Sequence, residues 1–486
     1  MSITIRAVGQ ASRRGPTRRV PTAAALLDLV ESWLAEHAGE RVRGQVVTRR
    51  QPDGSLDASL HPAARPVRFE AGDAGRLVAI ATTVPVGPGY HTFVASLLTR
   101  MGDELDVAWA PGDGHAPSST APRRPADDGV NDHGGRAGRI GGAVLSRATA
   151  LPGAVIARAS GPDDDVEPSV DPTGAFFTGR RADAERSHLA WLRASLVAVR
   201  DARRRGTGGV HLATPPGVRY TFDGAVATVL GPRDDEWLER ALGDPRVASD
   251  VWPWVADALD ARYHLNRALT LMWTQVRWRP PVGVPELEVL DETLASLRFA
   301  YALEPALPWP WAEWREAFVL RGQSDPATAQ LLQRATTSRA RAASGDEADS
   351  RIGYRRRPVT IVHEGWALDL PGSFTDERTA DEWTGSDAGR TVTLAATATA
   401  MGDVPMPAEA FLRQFASGLG RDAIEHEAGP VRGRARLSSD APTGVEVATV
   451  EGYSAVRGSG AVIRIVIEDP DDWKWALDTW RNLRPA

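Results

Sequence analysis

Residues 252–278 read WPWVADALDARYHLNRALTLMWTQVRW, and this stretch decides how the centre of the chain is interpreted. From residue 254 to residue 272, apolar residues recur every three or four positions, which places them on one face of a helix. The members of this face are Trp254, Ala258, Ala261, Leu265, Ala268 and Met272. The proline-rich segment 279–285 cannot continue a helix and predicts a stiff corner. A second helix is expected after it, and two helices joined by a short corner usually pack antiparallel.

The segment 237–314 also holds eight of the 16 tryptophans, which leaves two interpretations open. One is an aromatic recognition surface, and the other is a helical core with stacked residues at its rim. Large apolar residues at helical spacing are usually buried, which favours the core for most of the stretch. Arginines beside the tryptophans can stack on the indole rings. The predicted binding residues are therefore Trp273, Trp278, Trp309, Trp314, Arg277 and Arg279.

The composition is that of a globular protein of ordinary hydrophobicity. The chain has 486 residues, of which 42 % are apolar and 25 % are charged, so we expect two to four domains. A net charge of −6 is mild at this length and argues against nucleic acid as a main partner. No run of 18 apolar residues occurs, so we expect no membrane-spanning helix and a cytoplasmic location.

Two absences from the sequence exclude several kinds of chemistry. The chain has no cysteine, which excludes disulfides, thiolate zinc sites, iron–sulfur clusters and a cysteine nucleophile. Lys474 is the only lysine among 57 basic residues, so 56 are arginines, and a phosphate-binding P-loop lysine is lacking. The histidines show no metal-ligand spacing. We therefore predict no metal, no cofactor and no catalytic residue.

The fold class predicted from these patterns is a multidomain α+β protein with five segments. They are an N-terminal α/β unit at 1–110, a flexible linker or loop at 111–139, a mostly helical middle domain with a short β-meander at 140–343, a second linker at 344–352, and a C-terminal α+β sandwich at 353–486.

The N-terminal unit contains one candidate anion site. A buried strand is predicted at 76–84, and it is followed by Gly87, Pro88 and Gly89 and then by a helix that carries His91 near its start. Backbone N–H groups at such a helix start can hold an anion. However, the third glycine of the usual fingerprint is lacking and Pro88 removes a donor, so a tight turn is the alternative.

The C-terminal segment shows a strand, helix, strand and final helix order, and residues 365–374 read GWALDLPGSF. In this order and in this phrase it resembles the PsbP/DcrB-like superfamily. The resemblance implies a binding module without common catalytic residues, so no site residue transfers from it.

We therefore expect a soluble bacterial protein that is a binding or regulatory module without catalytic activity and has a protein partner, such as an immunity-type partner of a toxin system. The alternative is an enzyme that acts on a small anionic substrate in a cleft between the N-terminal unit and the helices. That enzyme would use His91 or His264 with arginines as anion clamps. Asp260 lies four residues before His264, a spacing that suits either an oriented base or a surface pair.

Overall fold

The structure is a computed structural model that describes most of the chain. The described residues are 3–12, 21–42, 46–110, 169–206, 209–214, 217–222, 224–322, 325–340, 351–379, 382–387, 389–401, 404–440 and 447–486. The predicted linker at 111–139 lies outside these residues, and so does most of the predicted linker at 344–352.

The helices and strands of the described residues are numbered in chain order. The helices are α1 (Ala23–Val42), α2 (Pro88–Leu105), α3 (Ala175–Thr178), α4 (Arg181–Arg204), α5 (Asp235–Gly243), α6 (Ala261–Thr274), α7 (Val284–Leu303), α8 (Trp311–Arg321), α9 (Pro326–Ala340), α10 (Ala408–Phe415) and α11 (Trp473–Arg481). The strands of the first half are β1 (Thr4–Ala11), β2 (Val47–Arg50), β3 (Leu56–Ser59), β4 (Val67–Ala71), β5 (Arg76–Thr82), β6 (Val107–Trp109), β7 (Val210–His211), β8 (Val218–Tyr220), β9 (Val226–Thr228) and β10 (Gly231–Arg233). Those of the second half are β11 (Val359–His363), β12 (Trp366–Leu370), β13 (Thr375–Arg378), β14 (Glu382–Asp387), β15 (Arg390–Ala398), β16 (Ala400–Met401), β17 (Val404–Pro405), β18 (Ile424–Ala428), β19 (Val431–Asp440), β20 (Val447–Val456), β21 (Ser459–Ile467) and β22 (Arg484–Pro485).

The N-terminal region is a six-stranded sheet in the order β2-β3-β4-β5-β1-β6. All its pairings are antiparallel, so it is an α+β unit and the α/β description was wrong. The sequence predicts a tail or edge segment for residues 1 to about 21, but β1 lies inside the sheet between β5 and β6. Its residues alternate toward a core that includes Ile5, Val30 and Phe69. Because alternate residues of β1 face this core, the strand is fixed in the interior of the sheet.

The central helix α6 begins later than the periodicity predicts. Asp260 caps it by accepting a hydrogen bond of 2.8 Å from the backbone N–H of Tyr263, and a carboxylate in this position stabilises a helix start. Trp254 therefore precedes the helix and is buried in the N-terminal core. The proline corner separates α6 from α7 as predicted, and the two helices pack against each other.

The predicted β-meander does not form as a meander. β7, β9 and β10 make a small sheet in which β7 and β9 are parallel. β8 instead pairs with β11, in a four-stranded sheet ordered β22-β12-β11-β8. This sheet joins the predicted middle and C-terminal segments, because a strand pairs wherever its hydrogen-bonding groups and its apolar face are both satisfied.

The C-terminal region is a seven-stranded antiparallel sheet in the order β13-β14-β15-β21-β20-β19-β18. The sequence predicts strands at 358–362, 366–370, 391–399, 431–438, 445–453 and 461–468, and these are confirmed, as are the predicted helices α10 and α11. The multidomain α+β class is confirmed. β13, β14 and β18 were not predicted, because their sequences are polar and do not alternate clearly.

Trp278 gives a prediction about packing. It is half-buried against the α6–α7 core, and the guanidinium carbon of Arg356 lies 3.8 Å from its ring centroid. Gly353 lies against the indole ring and has no room for a Cβ. We expect Trp278→Ala to lower the free energy of unfolding by about 2 kcal/mol, because apolar contacts and the cation–π contact are lost.

Urea unfolding of the two proteins checks this value. Trp473→Ala is the matched control, because that indole is 47 % exposed and its loss should change stability by less than about 0.5 kcal/mol. Equal stabilities for wild type and Trp278→Ala would mean that the ring contributes only a surface contact.

Candidate functional site

A cleft of about 750 Å³ lies where the N-terminal sheet, the α6–α7 corner and two strand edges meet. Its walls include Arg49 of β2, Tyr220 of β8, and the corner residues Arg277 and Arg279. β8 and β13 are each the last strand of their sheet, so the cleft runs beside two sheet edges. No histidine is among the described residues that line it.

The carboxylate of Asp376 on β13 is surrounded by three guanidinium groups. Nη2 of Arg277 and Nη2 of Arg355 each lie 2.9 Å from the same oxygen, Oδ1 of Asp376. Burial acts to raise the pKa of Asp376, but the charges of Arg355, Arg277 and Arg378 lower it below its ordinary value. The carboxylate is therefore held ionised and neutralises one of the three arginines.

The third guanidinium, that of Arg378, donates hydrogen bonds to main-chain carbonyl oxygens. It donates to the carbonyl oxygen of Val362 over 2.8 Å and to that of Gly217. These bonds tie β13 to the end of the neighbouring four-stranded sheet. Because both acceptors are neutral, the charge of Arg378 is not compensated by them.

Two donors in this cluster have no hydrogen-bond partner among the described residues. They are Nη1 of Arg355, whose side chain is 4 % exposed, and Nε of Arg277, whose side chain is 10 % exposed. Burial and the neighbouring Arg355 charge lower the pKa of Arg277 to about 10. The cluster is therefore short of both negative charge and hydrogen-bond acceptors, and an acceptor-rich anion supplies both.

The remaining charges of the cleft are matched locally. Arg279 makes a two-pronged contact with Glu286, with distances of 2.7 and 2.9 Å, and lies 3.1 Å from Asp387. Arg49 and Glu377 pair at 2.9 Å at the mouth of the cleft, where both side chains are more than half exposed. The unmatched charge is thus confined to the cluster around Asp376.

The predicted binding tryptophans lie elsewhere. Trp273, Trp309 and Trp314 are buried, so the expectation that they are exposed contacts was wrong. They fill cores because bulky indoles gain most from removal from water. Trp278 is half-buried, and its partner is Arg356 rather than Arg277 or Arg279. Of the six predicted residues, only the two arginines line the cleft.

The predicted anion site at Gly87, Gly89 and His91 is covered by neighbouring residues of the chain. Gly87 has a φ of 113°, and both glycines lie against the segment of Trp252 and Trp254. The N–H of Gly89 already donates to the carbonyl oxygen of Trp254 over 3.1 Å. The glycines therefore allow close packing, which was the alternative interpretation, and the helix start is covered.

His91 belongs to a buried polar network. Its Nδ1 lies 2.9 Å from Oγ1 of Thr83, and its Nε2 lies 3.3 Å from Oδ2 of Asp171. Asp171 also accepts a hydrogen bond of 2.7 Å from the N–H of Phe176. This network joins α2 to the segment before α3. His264 is also fully buried, and Asp260 caps α6.

Three residues of the cluster were not found from the sequence. Arg355 stands in a run of three arginines just before β11, and that run is the only signal that marked it. Asp376 and Arg378 lie on a strand that was not predicted. Their meeting with Arg277 depends on a contact across about 100 residues of chain, which periodicity does not reveal.

Two further kinds of site are not found in the described part of the chain. None of its helices is both long and apolar enough to cross a membrane. No group of three or more histidine or acidic side chains there is arranged to hold a metal ion.

Comparison with known proteins adds little. No protein family matches the chain, and no curated protein matches it. A crystal structure from Bacteroides thetaiotaomicron VPI-5482 has 10 % sequence identity and a TM-score of 0.22 over 25 % of this chain. The alignment spans 45 % of that protein, and its similarity carries no argument. The resemblance to the PsbP/DcrB-like superfamily stays a prediction.

Replacing Asp376 tests the charge imbalance. We expect Asp376→Asn to lower the free energy of unfolding by about 3 kcal/mol, because three guanidiniums then repel one another without a counter-charge. Urea unfolding at constant ionic strength measures the change. Glu377→Gln is the control on the same strand, since its exposed pair with Arg49 should contribute less than about 1 kcal/mol. Equal losses for both variants would argue against the imbalance.

Asp171 predicts a pH dependence of stability. Burial acts to raise its pKa, but the His91 hydrogen bond and charge and the backbone N–H bonds lower it below 3.8. A carboxyl group with a lowered folded pKa stabilises the protein above about pH 4 and loses that contribution as the pH falls through the folded pKa. Asp171→Asn should therefore be less stable than wild type by about 2 kcal/mol at neutral pH.

Unfolding in urea at pH values from about 7 to about 2.5 measures this difference. We expect it to shrink below about pH 4, where the wild-type carboxylate becomes protonated. A difference that stays constant over the whole range would contradict the prediction.

Proposed function

We propose that this chain is a binding protein whose ligand presents an anionic group to the arginine cleft. The observation that carries this proposal is the cluster of three guanidiniums around the single carboxylate of Asp376. The binding role expected from the sequence is kept, but its site moves from the tryptophans to the arginines.

The energetic reason is the cost of leaving buried charge uncompensated. An ion removed from water without a partner costs several kcal/mol, so a site with excess positive charge gains when an anion enters. Guanidinium groups present rigid sets of N–H donors that match carboxylate and phosphate oxygens. The guanidiniums of Arg277 and Arg355, which both line the cleft, are the groups that such a ligand would contact.

The size of the cleft suits a small molecule. Its volume of about 750 Å³ falls within the range of ordinary ligand sites. Because the mouth is lined by the exposed side chains of Arg49 and Glu377, an acidic group at the end of a protein segment would also reach it. The protein partner, the immunity-type role and the cytoplasmic location stay predictions.

Binding without catalysis is favoured over the enzyme alternative. His91 and His264, the bases of that alternative, are fully buried and do not line the cleft. Each acidic residue that does line the cleft forms an ion pair with an arginine. These residues are Glu286, Asp376 and Glu377. A carboxylate engaged with a guanidinium is a weaker proton acceptor than a free one.

Calorimetric titration with small anions tests the proposal. The panel is phosphate, sulfate, benzoate and citrate, each at constant ionic strength. We expect at least one of them to bind wild type, and Arg355→Gln to weaken that binding about tenfold, because one charged donor is lost. Arg240→Gln is the matched control, since that side chain is 61 % exposed on α5.

Two results would count against the proposal. One is the failure of every anion to bind wild type. The other is equal binding by Arg355→Gln and Arg240→Gln, which would place any bound anion outside the cleft. Circular dichroism of the Arg355→Gln protein ensures that a loss of binding is not a loss of folding.

A further inference from the structure

We infer that the anionic group is the dianion of an organic phosphate monoester, an inference that rests on the proposed anion binding in the cleft. Three features of the cleft support this class of ligand. They are the excess positive charge around Asp376, the arrangement of the guanidiniums and the apolar residues of the lining.

The charge around Asp376 matches two negative charges. Five arginines and three carboxylates line the cleft, and Asp387 adds a fourth carboxylate at Arg279, so the excess over the whole cleft is one positive charge. Around Asp376 itself, three guanidiniums face one carboxylate, and the local excess is two. A monoanion would compensate only half of this charge.

The donors favour a tetrahedral group over a planar one. The guanidiniums of Arg355 and Arg277 approach Asp376 from different elements, the turn before β11 and the segment after α6. A carboxylate offers two oxygens in one plane. A phosphate monoester offers three terminal oxygens, each a strong acceptor, and can meet donors that come from separate directions.

The apolar residues of the lining explain why the phosphate would carry an organic body. Val282, Val289 and Leu290, together with Pro281 and Pro285 of the α6–α7 corner, line the same cleft as the arginines. The volume of about 750 Å³ far exceeds that of a single phosphate group. A ligand with a charged end and an apolar or aromatic body would fill both parts, which is the usual composition of a small-molecule site.

The test uses phenyl phosphate, phenyl sulfate, benzoate and inorganic phosphate in calorimetric titrations of the full chain. Phenyl sulfate has the shape of phenyl phosphate but keeps a single negative charge. Because no histidine is among the described residues lining the cleft, a change from about pH 7.5 to about pH 5 acts chiefly on the ligand, whose second pKa is about 6.

At about pH 7.5 we expect phenyl phosphate to bind about tenfold more tightly than phenyl sulfate, benzoate or inorganic phosphate. Its advantage over phenyl sulfate should vanish at about pH 5, where both are monoanions. Arg277→Gln, which lowers the excess charge to one, should abolish the same advantage at the higher pH.

Equal binding of phenyl phosphate and phenyl sulfate at the higher pH would overturn the dianion inference and leave anion binding in the cleft intact. Tighter binding of inorganic phosphate than of phenyl phosphate would overturn the organic body. If none of the four ligands binds wild type, the inference fails, and the proposed function fails with it only if sulfate and citrate also do not bind.

Discussion

Helix α6 is the element on which the rest of the structure depends, because almost all of its residues are buried and three hydrophobic cores meet on it. Tyr263 belongs to the N-terminal core, Trp273 to the C-terminal core, and Leu265 and Met272 to the helical core. Such a helix must also satisfy the charge that it carries inside. Arg267, which is 1 % exposed, donates to Glu292 and to the carbonyl oxygen of Leu60. These bonds offset the cost of its burial and tie α6 to both α7 and the N-terminal region.

The cleft follows from the way α6 ends. The proline corner stops the helix, and Arg277 leaves it toward β13 instead of toward solvent. There it meets Arg355 and Asp376, which come from the turn before β11 and from an edge strand. Groups from three separate parts of the chain thus concentrate positive charge in one place. The shortfall of carboxylates here distinguishes this cluster from Arg279, which contacts both Glu286 and Asp387, and from Arg321, which pairs with Asp291.

The regular parts of the fold could be predicted because their signals are local. Helix α7 and the strands β11, β12 and β19–β21 show clear periodicity and are confirmed. The start of α6 was misplaced because the capping carboxylate of Asp260 outweighs the apolar spacing before it. β1 was taken for a tail, since its eight residues gain their order from pairing with β5, more than 65 residues away. Arg277 and Arg279 were chosen for stacking on Trp278, yet they line the cleft by another contact.

The sequence by itself determined the fold class, the α6–α7 corner and the chemistry that the chain lacks, since composition, proline positions and residue spacing are properties of the chain alone. The tertiary structure decided which tryptophans are buried, which strands pair across the predicted boundaries, and where the arginines gather. The physical reason is that these features depend on contacts between residues far apart in the chain. The contact of Arg277 and Arg355 with Asp376 is an example, and no spacing pattern in the sequence predicts it.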